Sequence, residues 1–170
     1  MSADFQRVIL PHMDAAYNLA RWLTRDEQAA EDLVQDSFVR AFKSFDGFRG
    51  EDARGWILTI VRNTCYTWLA KNRAHAPALE FNDEIATVDA GALDPAMLAA
   101  RSADSEAVRK ALDELPPEFR EVVVLRELEG LSYQEISKVA GVPVGTVMSR
   151  LSRARKRLEQ GLVKNAGGGH

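Results

Sequence analysis

The stretch from Leu131 to Leu158 constrains the fold more than any other part of the chain. Ser132-Tyr133-Gln134-Glu135 is a capping box, in which a serine hydroxyl and a glutamate carboxylate each satisfy a backbone amide at a helix start. Ile136, Val139 and Ala140 then face inward before Gly141 ends this short helix, since glycine tolerates the left-handed geometry of a helix exit. Val142-Pro143-Val144-Gly145 forms a turn, and Thr146 opens a second helix whose Val147, Leu151, Ala154 and Leu158 recur at i, i+4, i+7 and i+11 as a buried stripe. The exposed arc is expected to hold Met148, Ser149, Arg150, Ser152, Arg153, Arg155, Lys156 and Arg157. From Ile136 to Leu158 there are six bases and no acid. A short capped helix, a glycine turn and a longer helix with a basic outer face make a helix-turn-helix, whose second helix enters a DNA major groove. Basic amphipathic helices also lie on membranes or in partner grooves, but insertion needs large apolar residues on the exposed arc, and this arc has few.

Two shorter helices precede this motif. Val108, Ala111, Leu112 and Leu115 line one face of the first, which Pro116-Pro117 must stop for want of an amide donor. Phe119, Val122, Val123 and Leu125 line the second, which ends near Glu129-Gly130.

A formal net charge of −3 argues against a free-standing nucleic-acid binder until it is resolved along the chain. Residues 1–75 carry 10 basic and 10 acidic side chains, 76–104 carry 1 and 6, and 105–170 carry 11 and 9. The acidic middle contains Pro77, Gly91 and Pro95 without a sustained helical period, so it reads as a flexible linker. It is too long for a connection inside one compact domain. The expected architecture is all-α: two small helical domains, 1–75 and 105–163, joined by the linker 76–104 and followed by a disordered tail, 164–170.

In the first domain, Ala30, Leu33, Val34, Ser37, Phe38, Ala41, Phe42 and Phe45 form a helical stripe. Glu31, Asp32, Gln35 and Asp36 lie opposite, and Asp26 to Asp36 holds five acids and no base. Carboxylates favour the first turn of a helix, so this is either a solvated face or a docking surface for a basic partner. After a turn at Asp46–Gly50, residues 53–73 reverse the charge, with Arg54, Arg62, Lys71 and Arg73 and no acid. Ile57, Ile60, Val61, Thr64, Trp68 and Leu69 are expected in the core, leaving Arg62, Asn63, Tyr66 and Lys71 nearer solvent. Asparagine can read a base edge and aromatic rings beside cations can stack on unpaired bases, though such rings are also ordinary core residues. Val8, Leu10, Met13, Ala16, Tyr17, Ala20 and Leu23 suggest a further amphipathic helix, completing a bundle of three or four.

Cys65 is the single cysteine and cannot form an intramolecular disulfide; its apolar setting suits a buried thiol. With His12, His75 and His170 it makes no zinc-ligand spacing. No signal-peptide pattern opens the chain, and no window approaches the roughly 18 apolar residues of a membrane span. A cytoplasmic protein is expected, with no cofactor and no metal. The absence of a nucleophile beside a base, or of a phosphate-cradling glycine loop, reads as a protein that is not an enzyme.

From Phe5 to Leu158 the chain resembles the extracytoplasmic-function (ECF) sigma factors of bacterial RNA polymerase. The resemblance rests on Ala30-Glu31-Asp32-Leu33-Val34-Gln35-Asp36-Ser37-Phe38, Phe48-Arg49-Gly50, Trp56 through Asn63-Thr64, Leu115-Pro116, Leu131-Ser132-Tyr133-Gln134-Glu135-Ile136 and Val142-Pro143-Val144-Gly145-Thr146-Val147. It implies an alternative sigma factor that binds the polymerase core, directs it to specific promoters and promotes DNA opening. Asp32, Gln35, Asp36 and Phe38 then look like the positions that grip a coiled coil of the polymerase. Asn63 falls where the family captures a flipped base of the minus-ten element, with Arg62, Tyr66 and Lys71 as neighbours. Ser149, Arg150, Ser152 and Arg153 look like base readers of the minus-thirty-five element, with Arg155, Lys156 and the Thr146 amide toward phosphates. Met148 stands where many relatives carry a base, and Thr67 where they often carry Asp or Asn; both bear on which promoter is read. Such proteins are commonly held by an anti-sigma factor covering both domains. Two rival readings share the same residues: a regulator that binds operator DNA without polymerase, and an adaptor whose charged faces bind only proteins.

Overall fold

The computed structural model describes residues 3–50, 52–72 and 106–167, and it is helical with no strand among the described residues. The all-α expectation therefore holds. The expected linker, 76–104, lies outside the described residues, as do 168–170. The chain divides into two compact units, one built mainly from residues up to Pro77 and the other from those after it.

The first unit contains α1 (Ala3–Val8), a 3-10 turn (Leu10–His12), α2 (Met13–Thr24), α3 (Glu27–Lys43), a second 3-10 turn (Phe45–Gly47) and α4 (Ala53–Asn72). The pattern from Val8 to Leu23 is not one helix, because Pro11 lacks an amide donor and disfavours helical geometry in the residue before it. The break swings the buried positions to Phe5 and Ile9 and leaves Met13 exposed. Arg25 closes α2 in the left-handed conformation, and the Asp26 carboxylate starts α3 by accepting from the Ala29 amide at 3.1 Å.

Each of α2, α3 and α4 packs against the other two. Because α4 meets two helices, its buried arc is wider than one stripe: Leu58 and Cys65 join Ile57, Val61 and Thr64 inside, while Ile60, Trp68 and Leu69 are only half-buried. The turn between α3 and α4 is held by aromatic rings. Phe45 lies 5.4 Å from Phe5 and 5.8 Å from Phe48, and Phe48 lies 5.0 Å from Trp56, centroid to centroid. Asp52 then caps α4, its Oδ1 accepting from the Gly55 amide at 3.0 Å. A Cβ on residue 55 would collide with Asp52 Oδ2, so the cap and the glycine are matched.

The described chain from residue 106 onward contains α5 (Glu106–Asp113), α6 (Pro117–Val123) running into a π turn (Val124–Leu128), α7 (Tyr133–Ala140) and α8 (Val144–Gly167). Both α5 and α6 pack on α8. Arg120, 2% exposed, donates to the Leu115 carbonyl at 2.6 Å and so fixes the α5–α6 corner. The capping box is present: the Glu135 amide donates to Ser132 Oγ at 3.1 Å, and the Ser132 amide to Glu135 Oε1 at 2.9 Å. Gly141 adopts φ +70°. Val147, Leu151, Ala154 and Leu158 are fully buried, each leucine worth about 1.5–3 kcal/mol of transfer free energy. One expectation about α8 needs correction: it begins at Val144 rather than Thr146, and its bounds are Val144–Gly167.

Candidate functional site

The first surface lies on α3. At about 100° per residue its buried stripe centres on Ala30, Val34 and Ala41, and Asp32, Gln35 and Asp36 fall on the opposite side. All three are exposed, with Gln28 Nε2 donating to Asp32 Oδ1 at 3.1 Å and Arg40 3.3 Å from Asp36. Phe38 does not share that face. It lies about 70° from the stripe centre and is 7% exposed, so it belongs to the core of the unit. In its place the structure brings Val39 and Phe42, 51% and 41% exposed, beside the three polar side chains. Phe42, expected in the buried stripe, lies about 110° from its centre. The signal was available in the sequence, since counting the helical angle from Asp32 puts Val39 almost in line with it.

The second surface lies on α4. Arg62 places its guanidinium 4.0 Å from the centroid of the Tyr66 ring and donates to Asn63 Oδ1 at 3.3 Å. Asn63 is exposed and Tyr66 half-buried, so the amide, the cation and the ring stand together on one side of the helix. Lys71 is exposed but stands on the opposite side of the helix from Arg62 and is not part of this cluster. Thr67 Oγ1 turns back to the Asn63 carbonyl at 3.0 Å. Across the unit, burial pushes the His12 imidazole below its ordinary pKa, the Arg54 guanidinium adds to the shift, and Asp52 opposes it.

The third surface lies on α8 and differs from expectation. Lys156 and Arg157 are exposed and Arg153 is half-buried, but Ser149, Arg150 and Ser152 are 5%, 9% and 6% exposed. Arg150 flanks the apolar stripe, which accounts for its position. Ser149 and Ser152 lie well away from the stripe, so their burial comes from tertiary packing and not from the period of the helix. Arg155 also flanks the stripe and pairs with Glu127 at 3.4 Å, side chains 11% and 6% exposed, so it does not stand free for a phosphate. The Thr146 amide donates to the Pro143 carbonyl at 3.0 Å, so it is already engaged within the turn.

Among the described residues no group of three or more His, Cys, Asp or Glu could hold a metal ion, and no helix is long and apolar enough to cross a membrane.

Residues 8–75 match the family described as Sigma-70 region 2, and residues 105–158 match Sigma-70, region 4. The chain is 31% identical over 167 residues to the RNA polymerase sigma-H factor of Pseudomonas aeruginosa, covering 93% of this chain and 86% of that one. The chain belongs to the ECF sigma factors. Within that family it is 34% identical over 163 residues to the ECF RNA polymerase sigma factor SigE of Mycolicibacterium smegmatis, covering 96% of this chain but 63% of the relative's length. It is also 34% identical over 152 residues to the ECF RNA polymerase sigma-E factor of Haemophilus influenzae, covering 83% and 77%. Among solved structures, the sigma factor RpoE crystallised with the anti-sigma factor NepR from Bartonella quintana superposes with a TM-score of 0.73 at 30% identity, covering 96% of this chain and 98% of that one. CnrH in complex with the cytosolic domain of CnrY gives 0.65 at 28% identity, covering 92% and 85%. A sigma factor is a transcription initiation factor, so the surfaces on α3, α4 and α8 are places to look for polymerase and DNA contacts. A free-standing operator-binding regulator leaves the region 2 match unexplained.

Proposed function

We propose that this ECF sigma factor docks on core RNA polymerase through Asp32, Gln35, Asp36, Val39 and Phe42, captures and stacks minus-ten DNA with Asn63, Arg62 and Tyr66, and reads the minus-thirty-five element with α8. The observation that carries the docking role is the exposed α3 face, on which two large apolar side chains stand among carboxylates. Phe42 packs edge-on against Phe5 at 5.4 Å on one side, but a solvated face gains nothing from the exposed Val39 or the open part of Phe42, whereas a basic, partly apolar coiled coil would cover both kinds of group. On α8, Lys156 and Arg157 are the exposed cations, Arg157 lying 5.1 Å from the Phe119 ring centroid, and Arg153 and Met148 are half-buried. The factor is proposed to work in the cytoplasm, to need no cofactor, to catalyse no reaction itself and to be held by an anti-sigma factor, as the RpoE relative is in its crystal structure with NepR.

The test is run-off transcription with purified core polymerase over a randomised promoter library. The expected result is transcripts from a subset sharing two spaced elements. Core polymerase that gains no promoter preference from this protein refutes the proposal.

A further inference from the structure

We infer that Glu127 and Arg155 act as a pair of positioning residues that set the angle of α8 for promoter reading, and that Arg155 is not itself a DNA contact. This rests on the proposed reading of the minus-thirty-five element by α8.

Four observations meet here. Arg155 Nη2 lies 3.4 Å from Glu127 Oε1, and the two side chains are 11% and 6% exposed although 28 residues separate them in sequence. On α8 Arg155 lies about 60° from the centre of the buried stripe, whereas its neighbour Lys156 lies about 160° away and is exposed. Arg155 Nε is buried without a hydrogen-bond partner, so the guanidinium relies on its Glu127 contact. Breaking such a pair would leave a buried charge uncompensated, which opposes any swing of Arg155 toward a phosphate.

Glu127 also sits where the helix departs from α geometry. The turn Val124–Leu128 closes through the Glu129 amide on the Val124 carbonyl at 3.0 Å, a wide i to i−5 step. Such turns rotate the downstream residues relative to an unbroken α-helix and recur at functional places. From within the turn, Arg126 donates to the Leu131 carbonyl at 2.9 Å and lies 4.6 Å from the Tyr133 ring centroid, which seats the capping box of α7. Ser137 Oγ then donates to the Val142 carbonyl at 2.5 Å, holding the turn into α8. The π turn is thus tied to both ends of the helix-turn-helix: to the start of α7 through Arg126 and to the middle of α8 through Glu127. A helix tied at one point only could pivot, and base reading needs its side chains held to within about 0.5 Å.

The experiment uses the full chain with core polymerase, a promoter fragment recovered from the library and the same fragment with its minus-thirty-five element scrambled. Affinities are measured by competition over a range of salt. Arg155→Gln and Glu127→Gln are each expected to reduce discrimination between the fragments about tenfold. The double variant should be no worse than either single one, and Arg155→Lys should recover most of the loss. The slope of log affinity on log salt should stay unchanged in all four, because no phosphate contact is removed. The proposal is overturned if Arg155→Gln lowers that slope by about one and weakens both fragments alike while Glu127→Gln does nothing. It is also overturned if the two single losses simply add. A wild-type protein that fails to distinguish the fragments refutes the minus-thirty-five reading itself, an outcome separate from either of these.

Discussion

Replacing Gly55 by alanine should leave the stability of the first unit nearly unchanged, yet become stabilising once Asp52 is also replaced. Two terms oppose each other at the start of α4. Alanine in place of glycine inside a helix is favourable by about 0.5–1 kcal/mol. The new Cβ, however, takes the space of the Asp52 carboxylate and expels it from the 3.0 Å hydrogen bond with the residue 55 amide, and a lost cap costs about 1 kcal/mol. The net effect of Gly55→Ala is therefore close to zero. Asp52→Ala alone should cost about 1 kcal/mol, and somewhat more because Asp52 sits at φ 47°, where alanine gains no local hydrogen bond. With the carboxylate gone, adding Gly55→Ala should restore about 0.5–1 kcal/mol. The assay is urea unfolding followed by tryptophan fluorescence. Trp22, Trp56 and Trp68 are the chain's 3 tryptophans and all lie in the first unit, so the signal reports on it alone. With a urea dependence of about 1 kcal/mol/M for a unit this small, the second substitution should move the midpoint up by about 0.5–1 M in the Asp52→Ala background. Equal shifts in both backgrounds would show that the two residues are not coupled and refute the matched cap.

Three other outcomes are expected. Phe38→Ala should destabilise the first unit by about 3–5 kcal/mol as a core deletion, whereas Val39→Ser should leave the urea midpoint nearly unchanged and weaken core polymerase binding; a folded Val39→Ser variant that binds normally would remove Val39 from the docking face. Since the His12 pKa is lowered in the folded state, the unfolded chain binds more protons near neutrality, and stability is complete above about pH 6.5 and lost as pH falls through the folded value. His12→Gln should flatten that dependence of the urea midpoint, and a slope identical to wild type would exclude His12 as its source. Asn63→Ala should impair promoter opening, seen by permanganate reactivity, more than closed-complex binding by mobility shift; equal losses would argue against base capture.

Much of the secondary structure was legible because it follows from local chemistry. The Ser132–Glu135 capping box, the left-handed Gly141, the stop at Pro116 and the stripe through Val147 and Leu158 all depend on residues within a few positions of one another. Where the period was interrupted, local reading slipped. Pro11 divides one apparent helix into three short elements, and α8 outlasts its amphipathic signal. The site residues divide in the same way. Arg62, Asn63 and Tyr66 come together because positions one and four apart are neighbours on any helix.

The amino-acid sequence alone determined the all-helical class, the opposition of acidic and basic faces and the helix-turn-helix, since periodicity, caps and charge runs are encoded over a few turns of chain. Only tertiary structure decided which of those faces is open. Phe38 goes inward and Val39 and Phe42 outward because of where α2 and α4 press on α3. Arg155 meets Glu127 across 28 residues, a contact that no local pattern specifies. Ser149 and Ser152 are covered by packing that no helical period encodes. A side chain's exposure depends on every element that approaches it, and those approaches are set by the whole fold.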